Sequence, residues 1–221
     1  MRLLGSALSV LLALVSATLA VAPAQAVSAR DPIVLVHGWQ GNDWNWDVYR
    51  VWFEQDGYAA DELFAWDYDT SQSNATTAEQ LKRYVDQVLA QTGADQVDIV
   101  THSMGGLSSR HYLKNLGGQP KVDDWVSIGG PNHGTVWAWG CWQTSCQQMR
   151  PGSSFLTALN RGDETPGSPS YYTFWSYCDE VITPDESTIL SGAVNSRVGC
   201  VGHLSLLGHF PTYAGVRDAI R

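Results

Sequence analysis

Short apolar runs alternate along this chain with longer segments in which apolar residues recur at helical spacing. Residues 33–36 are all apolar, which is typical of a strand that helices cover on both faces. Leu81, Val85 and Val88 then recur at the spacing of one helix face, and Gly93 ends that pattern. Further strands are predicted at residues 63–66, 97–101, 125–128, 171–176 and 197–201. This alternation predicts an α/β fold on a mostly parallel sheet.

Glycine, proline and capping patterns set the expected helix ends. The aromatic segment 44–53 predicts a helix that Gly57 closes. Thr76 and Glu79 match a capping box at the start of the next helix. A closing helix is predicted over residues 211–221.

The N-terminal segment has the composition of a secretory signal peptide. Arg2 precedes a long apolar run, and the small residues Ala24 and Ala26 form a cleavage site. We therefore expect residues 1–26 to be removed and the protein to be secreted, without stable insertion in a membrane. Residues 27–221 contain no repeat, charge block or linker, and their length suits a single domain.

The charge balance of the chain is acidic. Asp and Glu number 22 against 13 Lys and Arg, which gives a formal net charge of −9 at pH 7. No basic block occurs, so we expect no nucleic-acid partner. We interpret Asp67, Asp69, Asp123 and Asp124 as solvated surface acids and expect no bound metal. The acidity then serves to keep a secreted monomer soluble.

The segment 97–106 carries the main chemical signal. An apolar strand ends at Thr101, Ser103 follows, and a helix begins near Met104. A tight turn of this kind lifts a serine hydroxyl above the end of a sheet, where it acts as a nucleophile. The usual pattern is G-x-S-x-G, which Gly105 fits and Thr101 does not. The alternative is an ordinary N-cap serine.

A serine nucleophile needs a histidine base and a carboxylate that orients it. In the α/β-hydrolase order the acid and then the histidine follow the serine along the chain. We assign the base to His203, directly after the last predicted strand, with His209 as its rival. We assign the acid to Asp179, which leaves the end of the strand 171–176, with Glu180 and Asp185 as alternatives. His37 and His111 are interpreted as structural, and His133 is set aside because it precedes every candidate acid in the chain.

An oxyanion hole needs two backbone N–H groups near the nucleophile. The turn after Ser103 aims the N–H of Met104 at the reacting carbonyl. The loop His37-Gly38-Trp39 resembles the HG loop of hydrolases of this type, in which the residue after the glycine gives its N–H. The second donor is therefore predicted to be Trp39.

Four cysteines in an exported chain predict two disulfides, for which three pairings are possible. We favour Cys141 with Cys146, which are close in sequence. We pair Cys178 with Cys200, because that bridge would join the loops of the proposed acid and base.

Four segments together resemble the small secreted bacterial lipases without a lid, the class 2 lipases of the α/β-hydrolase superfamily. These segments are VLVHG at 34–38, DIVTHSMGG at 98–106, GGPNHGT at 129–135 and VGHLSLL at 201–207. The resemblance implies a compact domain with six parallel strands, hydrolysis of carboxylic esters with apolar acyl chains, and no cofactor. Carried over by position, it implies these roles: Ser103 as nucleophile, Asp179 as acid, His203 as base, and Trp39 and Met104 as oxyanion donors.

The chain contains ten tryptophans in 221 residues, and six of them fall in or beside loops expected around the site. These six are Trp39, Trp44, Trp46, Trp137, Trp139 and Trp142. A chain of this length has little room for a large cap domain, so we expect an open cleft with aromatic walls. Trp39 and Trp137 are the candidates for contact with substrate.

Our leading hypothesis is a secreted triacylglycerol lipase that meets its lipid substrate at an interface. A polyester hydrolase of the cutinase kind, with the same triad, is the close alternative. An acyltransferase, or a non-catalytic module that binds hydrophobic surfaces, is less favoured because all parts of a hydrolytic triad are present in workable order.

Overall fold

The structure is a computed structural model that describes residues 30–220. The predicted signal peptide, residues 1–26, lies outside the described residues. Within residues 30–220, no helix combines the length and the apolar composition needed to cross a bilayer.

Six strands form one sheet, and every pair of neighbouring strands is parallel. They are β1 (Ile33–Val36), β2 (Leu63–Trp66), β3 (Val97–His102), β4 (Val122–Ile128), β5 (Ser170–Trp175) and β6 (Val194–Arg197). Their order across the sheet is β2-β1-β3-β4-β5-β6, which confirms the predicted α/β class. The carboxyl ends of β1, β3, β4 and β5 therefore lie side by side at one edge, where ligands bind in open α/β sheets.

Helices cover both faces of this sheet. They are α1 (Asp47–Gln55), α2 (Asn74–Thr92), α3 (Gly105–Asn115), α4 (Thr144–Gln148), α5 (Ser154–Leu159) and α6 (Phe210–Ala219). Short 3-10 turns lie at Asp43–Trp46, Ala60–Glu62, Gln119–Lys121, Val136–Gly140, Asp185–Thr188 and Leu204–Gly208. The long connection between β4 and β5 contains only short helices.

The side chains of β1 explain why its sequence has no polar position. Val34 and Val36 pack in the core beneath α2 and α3, whereas Ile33 and Leu35 pack in the core beneath α1 and α6. All four residues are fully buried. Alternate side chains of a parallel strand point to opposite faces, so a strand between two helical layers must be apolar throughout.

Several element boundaries differ from the prediction; β4, for example, begins at Val122 and not at residue 125. The helix α2 begins at Asn74, and its N-cap is Ser73, whose hydroxyl accepts a hydrogen bond from the N–H of Ala75. The predicted capping box at Thr76 is therefore wrong, because that residue already lies inside the first turn.

The last strand was predicted at residues 197–201, but β6 ends at Arg197. It pairs only with β5, and its polar residues are mostly exposed. An edge strand of this kind has no apolar face to mark it in the sequence. The apolar residues that suggested a strand, Val198 and Val201, instead lie in the loop that turns at Gly199 and leads to His203.

A cluster of carboxyl groups lies at the opposite, amino-terminal edge of the sheet. Carboxylate oxygens of Asp31, Asp98 and Asp123 lie within 4.8 Å of one another. Asp98 is only 3% exposed, and its Oδ1 accepts a hydrogen bond from the N–H of Asp124 at 3.2 Å. Burial, together with the charges of Asp124 and Asp31, raises the pKa of Asp98 to about 9. Asp98 is therefore protonated at neutral pH.

Replacing Asp98 by asparagine is expected to stabilise the protein at pH 8. The folded-state pKa of Asp98 lies above the unfolded value, so the folded state binds the proton more tightly. The free energy of unfolding of the wild type should then fall between pH 4 and pH 9, and this fall should be smaller in Asp98→Asn. We expect a gain on the order of 2 kcal/mol at pH 8 and little change at pH 4.

Urea unfolding at pH 4, 6 and 8 measures this difference. The exposed Asp61→Asn, outside this cluster, is the control, and we expect a smaller effect from it. Parallel pH profiles for wild type and Asp98→Asn would contradict the assignment of a neutral carboxyl at this position.

Candidate active site

Ser103 lies in the turn between β3 and α3, at the carboxyl edge of the sheet. Its φ is +55°, a left-handed conformation that is strained for a residue with a side chain and typical of a nucleophile elbow. Its N–H donates to the carbonyl of Ile128 at the end of β4, at 2.9 Å. The elbow is thereby tied to the neighbouring strand.

Two glycines allow the backbone to pass close to this elbow. A Cβ at Gly105 would lie 2.6 Å from the carbonyl oxygen of Val36, at the end of β1. A Cβ at Gly38 would lie 2.6 Å from the Cβ of Ser103. Neither position has room for a side chain, because the obstructing atoms belong to the backbone and to the elbow itself.

Thr101 departs from the usual G-x-S-x-G pattern, and the structure accommodates it without a clash. It is fully buried, and its hydroxyl donates to the carbonyl of Val126 at 2.8 Å. A Cβ at Gly106 would still lie 3.4 Å from the threonine Oγ1. The steric constraint of the elbow therefore falls on Gly105, which faces β1, and not on the residue two before the serine.

His203 and Asp179 form a buried pair above the same edge of the sheet. The Nδ1 of His203 lies 2.8 Å from the Oδ2 of Asp179. The second carboxylate oxygen, Oδ1, accepts the N–H groups of Val181 at 2.9 Å and Ile182 at 2.8 Å. The two carboxylate oxygens of Asp179 thus face three nitrogen atoms, and the tautomer with the proton on Nδ1 satisfies all three contacts. The Nε2 of His203 is left as the acceptor that a general base requires.

Ser176 connects the loop that carries Asp179 with the loop that carries His203. Its buried hydroxyl donates to the carbonyl of Gly199 at 2.9 Å. The same oxygen accepts the N–H of Cys178 at 3.1 Å and that of Val201 at 2.8 Å. One hydroxyl therefore makes two hydrogen bonds to a loop more than twenty residues away in sequence and a third within its own loop.

Two disulfides are present, and both pairs are those favoured from the sequence. Cys178 and Cys200 have Cα atoms 4.8 Å apart and join the two loops that Ser176 also connects. Cys141 and Cys146 close a small loop between β4 and α5.

Glu180 has a role that the sequence did not suggest. Its Oε2 accepts the backbone N–H of His203 at 3.0 Å. This contact is made to the backbone of His203, whereas Asp179 contacts its imidazole.

His102, the residue before Ser103, also contacts His203. Its Nε2 lies 3.2 Å from the carbonyl oxygen of His203, and the two ring centres are 4.6 Å apart. Burial and the neighbouring His203 hold the pKa of His102 well below its usual range. A neutral His102 therefore donates from Nε2 and supports the backbone of His203 from the side of β3. No pattern in the sequence marks this contact.

The other histidines make contacts elsewhere. His209, the rival base, bonds to the hydroxyl of Thr212 at 2.9 Å at the start of α6. His133 pairs with Glu164 at 2.7 Å, and His111 stacks on Phe155. The remaining histidine, His37, is fully buried, bonds to the carbonyl of Gly38, and has a pKa lowered mainly by burial.

Ser103 and His203 both line one cavity of about 310 Å³. Its walls include Trp39 and Trp137, whose rings meet edge to face with centres 5.2 Å apart. The other apolar side chains of the wall are Met149, Val181, Ile182 and Leu204. The cavity places an apolar binding space beside a hydroxyl and an imidazole.

The two amides predicted for the oxyanion hole belong to residues close to Ser103. Met104 follows it in sequence, and Trp39 follows Gly38, whose Cα is in close approach to Ser103. Within the described part of the chain, neither N–H donates to a backbone or side-chain acceptor. Both therefore have the capacity to bind an oxyanion.

A family model described as Lipase (class 2) matches residues 30–199. The match includes Ser103 and Asp179 and ends four residues before His203, so the position of the histidine depends on the structure.

Two curated relatives are named triacylglycerol lipase. The protein from Burkholderia plantarii is 35% identical over 128 residues, which are 54% of this chain and 34% of the relative. The protein from Pseudarthrobacter phenanthrenivorans is 35% identical over 120 residues, which are 50% of this chain and 36% of the relative. The aligned segment thus spans about a third of the length of each relative.

Solved structures share the fold at low sequence identity. Lipase B of Aspergillus fumigatus superposes with a TM-score of 0.76 and 21% identity, over 86% of this chain and 52% of that one. The mature lipase BlEst2 of Bacillus licheniformis superposes with a TM-score of 0.75 and 18% identity, over 87% of this chain and 92% of that one. The family match covers most of the chain and agrees with the parallel sheet and the elbow at Ser103. The chain therefore belongs to the class 2 lipase family, with the α/β-hydrolase fold.

Proposed function

We propose that this protein hydrolyses carboxylic esters with apolar acyl chains, foremost triacylglycerols, through an acyl-enzyme on Ser103. The observation that carries the proposal is the buried contact between His203 and Asp179 beside a cavity that Ser103 also lines. The names of the two curated relatives and the apolar walls of the cavity support the choice of substrate.

In the first half of the reaction, the hydroxyl oxygen of Ser103 attacks the ester carbonyl while Nε2 of His203 takes its proton. The N–H groups of Trp39 and Met104 stabilise the negative charge on the former carbonyl oxygen. The bond to the alcohol then breaks, and His203 returns the proton to the departing oxygen. The carboxylate of Asp179 stabilises the imidazolium during this step.

In the second half, water replaces the alcohol. His203 takes a proton from the water as its oxygen attacks the acyl carbon, and the serine leaves with that proton. The products are a carboxylic acid and the free enzyme. No external oxidant, reductant or metal is required to balance either half.

Hydrolysis of p-nitrophenyl esters from acetate to palmitate tests the proposal. We expect kcat/KM to rise from acetate to medium-length chains, because longer acyl groups cover more of the apolar wall formed by Met149, Val181 and Ile182. A protein without activity on any ester of the series would contradict the proposal. A kcat/KM that is highest for acetate would agree with an esterase and contradict the lipase assignment.

A polyester hydrolase would use the same triad and is the second candidate. The open aromatic walls of the cavity favour it to the same degree as they favour a lipase. Rates on emulsified triacylglycerol and on a polyester film distinguish the two substrates. We also propose that the protein is secreted as a single domain after removal of residues 1–26, which its two disulfides support.

A further inference from the structure

The segment 135–150, which we name the tryptophan loop, exposes an unusual amount of apolar surface. Eleven large apolar side chains are exposed among the described residues, and four of them occur between positions 136 and 142. Their exposed fractions are 50% for Val136, 40% for Trp137, 59% for Trp139 and 80% for Trp142. Isolated exposed apolar residues are common, but a contiguous group of this size marks an interaction surface.

The tryptophan loop is an ordered structure. Ala138 and Cys146 are fully buried in the core, and the disulfide from Cys146 to Cys141 closes the loop. The guanidinium of Arg150 donates to the carbonyl of Ala138 at 3.1 Å and to that of Cys141 at 2.8 Å. The exposed rings are therefore held outward by a fixed backbone, which lowers the entropic cost of binding.

Both outermost tryptophans lie against the same cation. The guanidinium carbon of Arg150 is 4.8 Å from the ring centre of Trp139 and 5.8 Å from that of Trp142. The two indoles consequently lie near each other in space, beside Arg150.

The charge of this surface differs from that of the whole protein. The tryptophan loop contains no Asp or Glu, and Arg150 is its only Lys or Arg, in a chain of net charge −9. The guanidinium keeps its positive charge, but it already donates to two carbonyls and contacts two rings, so most of the exposed surface of the loop is apolar and not charged. Its chemistry suits an electrically neutral, apolar partner.

The tryptophan loop is continuous with the candidate active site. Trp137 lines the cavity of Ser103 and contacts Trp39, and the indole N–H of Trp39 donates to Gln143 of the loop at 2.9 Å. A surface bound by Trp139 and Trp142 would therefore lie beside the mouth of the cavity.

We propose that the tryptophan loop adsorbs the protein to the surface of an electrically neutral lipid aggregate, with Trp139 and Trp142 inserted at the boundary between lipid and water. Indole rings favour this boundary, and adsorption strengthens with the apolar area that becomes buried. The inference deepens the proposed function, on which it rests for the statement that the aggregate contains the substrate. Adsorption itself requires no catalysis.

Co-sedimentation with phosphatidylcholine vesicles tests the proposal. The wild type, the double variant Trp139→Ala/Trp142→Ala and the control Phe210→Ala are expressed with the complete sequence and purified identically, so that the N-terminal segment is the same in all. Phe210 is 54% exposed but packs against Trp52 and Tyr213, on the other side of the sheet. We expect the partition coefficient to fall about tenfold or more in the double variant and to stay unchanged in the control.

Hydrolysis of dissolved p-nitrophenyl acetate separates adsorption from catalysis. We expect the double variant to retain the wild-type kcat/KM on this monomeric ester and to lose activity on emulsified triacylglycerol. Equal vesicle partition of wild type and double variant would overturn the proposal. If the variant instead converted a dimer to a monomer at unchanged partition, the loop would be a contact between two copies of the chain.

Vesicle charge and catalytic failure give two further distinguishable outcomes. A chain of net charge −9 is repelled by anionic lipid, so we expect weaker partition to phosphatidylglycerol than to phosphatidylcholine vesicles at low salt. Stronger partition to phosphatidylglycerol would overturn the assignment of a neutral lipid surface. A wild type that hydrolyses no ester but loses vesicle binding in the double variant would remove the proposed function and leave the adsorption surface intact.

Discussion

Ser103→Ala is expected to lower kcat for hydrolysis of p-nitrophenyl butyrate by about 10⁵-fold or more. Without the hydroxyl, no covalent acyl-enzyme forms, and there is no serine proton for His203 to accept. The loss should appear in kcat at nearly unchanged KM, because the walls of the cavity are not altered. Stopped assays with wild type and variant at equal concentration measure the ratio.

Two controls make this result specific. Ser154, an exposed serine at the start of α5, provides the matched substitution Ser154→Ala, for which we expect wild-type kinetics. Thermal unfolding of Ser103→Ala should show that the fold is retained. We expect its stability to equal or exceed that of the wild type, because alanine removes a buried hydroxyl. Activity within tenfold of the wild type in Ser103→Ala would exclude this serine as the nucleophile.

Asp179→Asn is expected to lower kcat by about 10⁴-fold while the fold is retained. The reason lies in the contacts of the carboxylate. The N–H groups of Val181 and Ile182 both donate to Oδ1, so the oxygen of an asparagine amide would occupy that position. Its NH₂ group would then face Nδ1 of His203 and force that atom to accept. The proton of the imidazole would move to Nε2, which could no longer take a proton from the serine.

Glu180→Gln is the matched control for this acid. The amide oxygen of glutamine still accepts the backbone N–H of His203, so we expect kcat within about tenfold of the wild type. Kinetics on one soluble ester for both variants decides between the two carboxylates. A nearly active Asp179→Asn beside an inactive Glu180→Gln would transfer the acid role to Glu180.

The sheet and the order of its principal elements could be predicted because a strand that is buried on both faces is apolar at every position. The four apolar residues of β1 are an example. The strand β6 could not be predicted in the same way, since its exposed residues, Val194 to Arg197, make no core. The start of α2 was also misplaced, because Ser73 and Thr76 both suit a cap and only the backbone conformation distinguishes them.

Sequence order was sufficient to nominate Ser103, Asp179 and His203, because each follows the carboxyl end of a strand or an adjacent loop. The side chains that position these three residues could not be identified from sequence order. Ser176 and His102 act through contacts between segments that are distant in the chain, and no residue pattern marks such contacts. The sequence showed only a serine close to the proposed acid, and such serines are too common to indicate a role.

Two residues beside Asp179 contribute both to its hydrogen bonds and to the wall of the cavity, but with different atoms. Val181 and Ile182 bind the carboxylate through backbone N–H groups and contribute their side chains to the cavity wall. Substitutions there can change the shape of the acyl site while both hydrogen bonds to the acid persist. The elbow, with Gly38 and Gly105 closed to any side chain, has no such freedom. Divergence to new esters within this lineage, or in a directed-evolution library, should therefore accumulate at positions 181 and 182.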